Sequence, residues 1–115
     1  MQVECTRFKV KKGKTRVVDE WLKFLNDNMA DVLVTLKGEK MYVETIFREV
    51  LQGEEYLYWY SVQGEGGIDI EQSTHWIDQK HLAYWEECID ESYIPVDLKT
   101  EVVMIQPNVR ASFQD

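Results

Sequence analysis

Residues 41–63, MYVETIFREVLQGEEYLYWYSVQ, carry the pattern that decides the fold. Side chains alternate between two sets over Met41–Leu51 and again over Tyr56–Val62. Because successive side chains of a strand point to opposite faces, both segments are predicted to be strands. Gln52–Glu55 has the length of a hairpin connection and contains a glycine. The stretch therefore predicts an antiparallel hairpin.

A strand and a broken helix are predicted before this hairpin. Val3–Lys11 alternates and predicts a first strand. From Thr15 onward, apolar residues recur at helical spacing, which predicts a helix. We expect Asn26–Asn28 to interrupt this helix, and a shorter helical piece over Asp31–Leu36 to end at Gly38.

A second long helix and a last strand are predicted after the hairpin. The helix should begin between Asp69 and Thr74 and end near Asp90. Leu98–Ile105 is predicted to be the last strand, because it is rich in β-branched and apolar residues.

The resulting order is β-α-β-β-α-β. Two right-handed crossovers in this order predict an α+β, ferredoxin-like sandwich, in which helices cover one face of an antiparallel sheet. A chain of 115 residues fits one domain. We expect residues 1–106 to form that domain and residues 107–115 to be a C-terminal tail.

Composition and charge exclude several classes of partner. Thirteen basic and 21 acidic residues give a net charge of −8, whereas nucleic acids and anionic membranes are bound through clustered Lys and Arg. No apolar run approaches the ~20 residues of a membrane helix.

The two cysteines, Cys5 and Cys88, lie far apart and form no CxxC pair. They are expected to be reduced thiols of a cytoplasmic protein.

Apolar side chains are predicted on both faces of the sheet. Tyr56–Val62 places Leu57 and Trp59 on one face but Tyr58 and Tyr60 on the other. A sheet covered by helices on one side should be polar on its other side in a monomer. We therefore expect a symmetric homodimer through the helix-free face. The alternatives are that the helices and the tail cover more of the sheet, or that the tyrosine hydroxyls on this face are solvated.

Two segments carry a resemblance to known proteins. The hairpin MYVETIFREVLQGEEYLYWYSVQGEG, Met41–Gly66, and the helix STHWIDQKHLAYWEECID, Ser73–Asp90, resemble uncharacterised small proteins of the dimeric α/β-barrel superfamily. Antibiotic-biosynthesis monooxygenases and sugar mutarotases share its ferredoxin-like fold. The resemblance implies this fold but not an activity, because the fold serves unrelated chemistries. It supplies no catalytic residues, because the small proteins it points to have no assigned function.

His81 is the first candidate catalytic residue. It shares a helix with Asp78, and a histidine beside a carboxylate can act as a general base. The alternative is a histidine at the edge of the core with only a structural role. His75 and His81 are separated by roughly 9 Å along a helix axis, too far for one zinc ion. No metal or cofactor is expected, and His75 is interpreted as a capping or surface residue.

Glu44 is the second candidate. If its face of the strand looks towards the helices, Glu44 is an acid or base opposite His81, with Asp78 as a further partner. If that face looks into a dimer, Glu44 is a polar anchor of the interface. The sequence leaves both alternatives open.

Aromatic side chains are the candidate ligand-binding residues. Tyr58, Trp59 and Tyr60 on the strand and Trp85 on the helix could stack on a flat ligand or line a pocket. Their alternative role is in the core or the interface. The neighbouring Glu54 and Glu55 argue against RNA recognition, which pairs such aromatics with Lys and Arg.

Three functions remain compatible with the sequence. The first is the binding of a small organic molecule between sheet and helices. The second is a cofactor-independent isomerase or monooxygenase-like enzyme with His81 as general base. The third is an acidic protein-interaction module. Glu44, His81 and a tyrosine hydroxyl in one cavity would favour the enzyme, and their separation onto opposite faces of the sheet would contradict it.

Overall fold

The structure, a computed structural model, describes residues 1–113. Most of the chain forms one sheet and the helices that cover one of its two faces. The strands are β1 (Gln2–Lys9), β2 (Met41–Leu51), β3 (Glu54–Gln63) and β4 (Val96–Asp97). The α-helices are α1 (Thr15–Asp27), α2 (Met29–Gly38), α3 (Trp76–Cys88) and α4 (Pro107–Arg110), with a 3₁₀ turn at Ile70–Gln72.

The sheet has the strand order β2-β3-β1-β4 with all neighbours antiparallel. Helices α1 and α2 connect β1 to β2, and α3 connects β3 to β4. This is the connectivity of a ferredoxin-like sandwich. The α+β fold class predicted from the order of elements is confirmed.

The central hairpin turns more tightly than its sequence suggested. Leu51 pairs with Glu54, so only Gln52 and Gly53 form the turn. Both have positive φ, 53° and 78°. This is the backbone of a type I′ turn, which suits the right-handed twist of the strands. Strand β3 therefore begins at Glu54 rather than at Tyr56.

The interruption between α1 and α2 falls at the predicted asparagines. The backbone N–H of Asn28 donates to the carbonyl of Phe24 over 3.1 Å, and its Nδ2 donates to the same oxygen over 2.8 Å. Asn28 leaves helical geometry with ψ of 31°. An asparagine side chain can satisfy the last carbonyls of a helix in this way, so α1 ends there and α2 begins.

The prediction of a strand over Leu98–Ile105 is wrong. The strand β4 is confined to Val96–Asp97, which pairs with Arg7 and Thr6. Leu98 still donates its backbone N–H to the Cys5 carbonyl. At Thr100, however, the side-chain hydroxyl donates to the Val3 carbonyl, in the place where a strand would use its backbone N–H. Because β1 begins at Gln2, the later residues run past the end of the sheet. The segment after them forms α4 within the predicted tail.

Trp21 is the centre of the core. This α1 side chain is fully buried, as are Val18 and Leu57. Its ring contacts Trp59 of β3 at 5.7 Å between centroids and Trp85 of α3 at 6.0 Å. The indole therefore joins the sheet to both long helices.

The loop after β3 packs tightly on the connection between α2 and β2. Gly64 donates its N–H to the Lys40 carbonyl over 2.8 Å, and Ile68 donates to the Gly38 carbonyl over 3.2 Å. A Cβ atom on Gly67 would lie 2.1 Å from the carbonyl oxygen of Glu39. Only glycine allows this approach of two backbone segments, which holds Glu39 in place.

Two features bear on the location of the protein. Cys5 and Cys88 are both free thiols. No helix among residues 1–113 is long and apolar enough to cross a membrane. The cytoplasmic location stays a prediction.

We predict that Gly67→Ala destabilises the protein by about 1–3 kcal/mol, because the new methyl group forces the two backbone segments apart. Urea unfolding followed by tryptophan fluorescence measures this. Gly38→Ala is the matched control, since its Cβ would meet only Ile68 Cδ1 at 4.0 Å. Equal stability of Gly67→Ala and the wild type would contradict the close approach.

Candidate ligand-binding cleft

A cleft of about 740 Å³ lies between the helix-facing side of the sheet and the helices. Side chains of β1, β2 and β3 form its floor, and side chains of α1, α2 and α3 form its walls. Sites for small organic molecules commonly have volumes of about 300–1,000 Å³. The cleft is therefore large enough for such a molecule.

The pleat of β2 and β3 decides which predicted residues reach the cleft. Glu44 lies opposite Ser61, and Ile46 lies opposite Trp59; all four line it. Glu44 thus looks towards the helices and not into the predicted dimer interface, while its role as an acid or base stays a prediction. His81, Asp78 and Trp85 of α3 line the same cleft.

Tyr58 and Tyr60 do not reach the cleft. They alternate with Trp59 along β3 and lie on the helix-free face. The Tyr58 hydroxyl donates to Glu49 Oε1 over 2.7 Å, and Tyr60 borders a shallow depression beside residues 98–102. No tyrosine is among the residues of the described chain that line the cleft. Glu44 and His81 therefore share the cleft, but the tyrosine hydroxyl expected beside them in an enzyme does not.

His81 is held by a hydrogen bond from the core. Trp21 Nε1 donates to His81 Nδ1 over 2.9 Å. Because an indole nitrogen can only donate, Nδ1 is the acceptor, and in the neutral ring the proton is on Nε2. The ring also contacts Trp59 at 5.7 Å between centroids. Among the hydrogen bonds of residues 1–113, none occupies Nε2.

The charge state of His81 follows from its surroundings. Burial lowers the pKa of His81 from 6.5 to about 4, and the nearby Asp78 carboxylate opposes this only in part. The imidazole is therefore neutral at pH 7. A neutral ring whose Nδ1 already accepts from Trp21 is suited to donate from Nε2 rather than to remove a proton.

The pKa of the Glu44 carboxyl is raised above its ordinary value. Burial is the main cause that raises its pKa, and the charge of Asp78 raises it further. A side-chain hydrogen bond with Trp59 opposes both effects. A carboxyl with a raised pKa serves as an acid or base near neutrality better than an ordinary one.

Glu39 was missed by sequence reasoning. Only 9% of its surface is exposed, and it lines the cleft beside the loop that contains Gly67. Burial raises the pKa of Glu39 to about 7, with further contributions from Asp78, Glu44 and Glu71. No local pattern marks this residue, because its burial depends on a loop almost thirty residues further along the chain.

Asp78 is a buried carboxylate with an unused oxygen. Its exposure is 5%, and Oδ2 has no hydrogen-bond partner in the described part of the chain. It occupies the first turn of α3, where the helix dipole favours a negative charge. His75 caps this helix by accepting from the Ile77 N–H over 3.2 Å, which confirms its interpretation as a capping residue.

The cleft is acidic and has an aromatic wall. Within residues 1–113, no Lys or Arg lines it, and no group of three or more His, Cys, Asp or Glu could hold a metal ion. Trp59 and Trp85 meet edge to face at 5.2 Å, and Phe8 packs on Trp85 at 4.7 Å. The acids that line the cleft are Glu4, Glu39, Glu44, Asp69, Glu71 and Asp78.

We predict that His81 stays neutral at pH 5 and carries its proton on Nε2. Long-range ¹H–¹⁵N NMR of the imidazole measures both properties. In urea the same ring should titrate near ~6.5. Trp21→Phe, which removes the donor to Nδ1, should populate the other tautomer and cost about 1–3 kcal/mol of stability. A midpoint near ~6.5 in the folded protein would contradict the buried geometry.

We predict that Glu39→Gln stabilises the protein at pH 8 and changes little at pH 4.5. The folded wild type retains a proton up to about pH 7 that the unfolded chain releases near 4.5, so its stability falls as the pH rises through this window. Gln cannot ionise, and the gain at pH 8 should be about 1–2 kcal/mol after allowance for solvent screening.

Thermal unfolding at the two pH values tests this, with the exposed Glu91→Gln as control. A pH-independent effect of Glu39→Gln would show that Glu39 is an ordinary surface carboxylate.

Comparison with known proteins assigns the chain to a family and supports the fold. No curated protein matches it. The crystal structure of an L-rhamnose mutarotase from Formosa agariphila is similar, with a TM-score of 0.53 and 16% identity over 92% of this chain and 99% of that one. This likeness confirms the ferredoxin-like fold. A family profile matches residues 1–111. The chain belongs to the family of unknown function DUF6176.

Proposed function

We propose that this protein binds a small organic molecule without negative charge in the cleft between its sheet and helices. One observation carries the proposal: a cavity of about 740 Å³ combines an aromatic wall with the convergent polar groups of Glu44, Asp78 and His81. A largely apolar pocket with a few convergent polar groups is the usual form of a ligand site.

The charges of the lining support the exclusion of anions. A carboxylate or phosphate in the cleft would face buried acids and, within the described chain, no lining Lys or Arg. Burying such a like-charge pair is costly because the cleft screens charges poorly. Hydroxyl and amine groups of a ligand can instead donate to the carboxylates.

A screen of small molecules by ¹H–¹⁵N NMR of the tryptophan indoles tests this function. Ligands should shift the signals of Trp59 and Trp85, which line the cleft. Trp76 lies outside it and is 52% exposed, so its signal is an internal control. Anionic molecules should leave all these signals unchanged. Shifts confined to Trp76, or binding of anions at the cleft, would contradict the proposal.

An isomerase is the second candidate, because carboxyls with raised pKa values and a fixed donor share one cleft. Opening and closing a sugar ring needs a base at the anomeric hydroxyl and an acid at the ring oxygen, with no net change of atoms. Glu44 would take the proton of the anomeric hydroxyl, and protonated Glu39, whose pKa is raised to about 7, would give a proton to the ring oxygen. His81 Nε2 would donate a hydrogen bond to the sugar. This assignment differs from His81 as base, the role expected from the sequence. The similarity to a mutarotase structure makes sugars the first substrates to test.

We predict that any such activity depends on Glu44. NMR saturation transfer between the anomers of reducing sugars measures it, and Glu44→Gln should lower the enzymatic rate by about 10²–10⁴-fold. Glu49→Gln is the control, since Glu49 lies on the helix-free face and accepts from Tyr58. Exchange at the spontaneous rate for all sugars would contradict this isomerase activity. The monooxygenase-like and protein-interaction alternatives stay predictions.

The proposal also includes a homodimer through the helix-free face. Phe47 of that face is 56% exposed, and Val102 and Met104 beyond the sheet are 71% and 88% exposed. A face-to-face pair of sheets would cover such apolar surface.

We predict a mass of twice 13.6 kDa by light scattering after size exclusion. Phe47→Glu should shift the population to the monomer, because it buries a charge in the interface. Val50→Glu is a matched control on the other face of β2. A monomeric wild type at micromolar concentration would contradict the dimer.

A further inference from the structure

We infer that the ligand carries a protonated amine, held in the cleft by Glu39, Glu44 and Asp78. The inference rests on the proposed binding function and names the chemical class that this same cleft takes. It distinguishes an organic cation from a neutral polyol, which the proposed function also admits.

The first support is the sign of the charges around the cleft. Its lining includes six acidic side chains and, among residues 1–113, no basic one. Lys40 directly follows Glu39 in the chain but is not part of the lining. The field in the cleft therefore favours a positive group over a neutral one.

The second support is independent of the first and comes from Asp78. A carboxylate that is 95% buried normally has hydrogen-bond donors, yet Oδ2 has none in the described part of the chain. The Trp21 indole N–H cannot serve as this donor, because it already donates to His81 Nδ1. An ammonium group brings three donors and a charge, so it satisfies both requirements of a buried carboxylate.

The third support is the repulsion among the acids. Asp78 raises the pKa of both Glu39 and Glu44, which means that the three groups cannot all ionise without cost. In the free protein a bound proton relieves this repulsion. A ligand cation would relieve it instead, so binding near neutral pH should release protons.

The aromatic wall favours an organic cation over a metal ion. Trp59 and Trp85 offer ring surface to the carbon part of a ligand, and aromatic faces attract cations. No described group of three or more metal-ligating side chains lies close enough to coordinate a metal. The cleft thus combines apolar contact with charge neutralisation.

The test uses three scaffolds, cyclohexyl, benzyl and indolylethyl, each as its amine, alcohol and carboxylate. Indole NMR at pH 7.5 measures the affinity of every member for the cleft. The best amine should bind at least about tenfold more tightly than its alcohol, and no carboxylate should bind. Calorimetry in two buffers of different ionisation enthalpy should show proton release with the amine.

Substitutions of the carboxyl groups test which of them contact the amine of the ligand. Asp78→Asn and Glu44→Gln should each lower the affinity for the best amine by about tenfold or more and leave the affinity for its alcohol nearly unchanged. Two variants are used because either one alone could disturb folding. Glu49→Gln, which removes an acid from the helix-free face, is the matched control and should bind the amine like the wild type.

The outcomes separate the inference from the proposed function. Equal binding of amines and alcohols at Trp59 and Trp85 would overturn the inference and leave the proposed function standing. Binding of carboxylates, or no binding of any of the nine probes at these indoles, would overturn both. Tighter binding of amines that Asp78→Asn and Glu44→Gln do not weaken would also overturn the inference.

Discussion

The hydrogen bond from Trp21 Nε1 to His81 Nδ1, 2.9 Å long, joins the core of this protein to its candidate site. Trp21 is fully buried between the sheet and α3, so its position is set by packing on Trp59 and Trp85. The same packing fixes the tautomer of His81 and leaves the Nε2–H without a hydrogen-bond partner in residues 1–113. The chemistry available to the imidazole thus follows from the arrangement of the core. The sequence predicted that His81, beside Asp78, would act as a base. Because its Nδ1 already accepts from Trp21, His81 is instead suited to donate a hydrogen bond from Nε2.

The acids of the cleft obey a related constraint. Glu39 of the α2–β2 connection, Glu44 of β2 and Asp78 of α3 share a poorly solvated space. Burial, and after it the repulsion by neighbouring acids, raises the pKa values of the two glutamates. A fold does not need such a cluster for stability, because each buried charge opposes folding. Perturbed acids in a cleft occur at functional sites more often than elsewhere, although structural networks also produce them. The repulsion among these acids in the free protein is what the proposed cationic ligand would relieve.

Much of the fold could be predicted from local pattern, and the errors have physical causes. Alternation over β2 and β3 and helical spacing in α1 and α3 depend on nearby residues, and the structure contains these elements. Leu98–Ile105 has strand composition, but whether it pairs depends on where β1 begins, which its own residues do not reveal. In the candidate site, the strand period separated Trp59 from Tyr58 and Tyr60 correctly, but only the structure showed which face lines the cleft. Glu39 depends on the approach of Gly67, a contact between distant parts of the chain.

The central claim is that the cleft is a desolvated acidic pocket rather than a wet surface groove. The titration of its carboxyl groups, followed by ¹³C NMR in the ligand-free protein, tests this most directly. The account predicts a midpoint of about 7 for Glu39 and a midpoint above its ordinary value for Glu44. Both groups titrating near 4.5, the ordinary value of a glutamate, would contradict it.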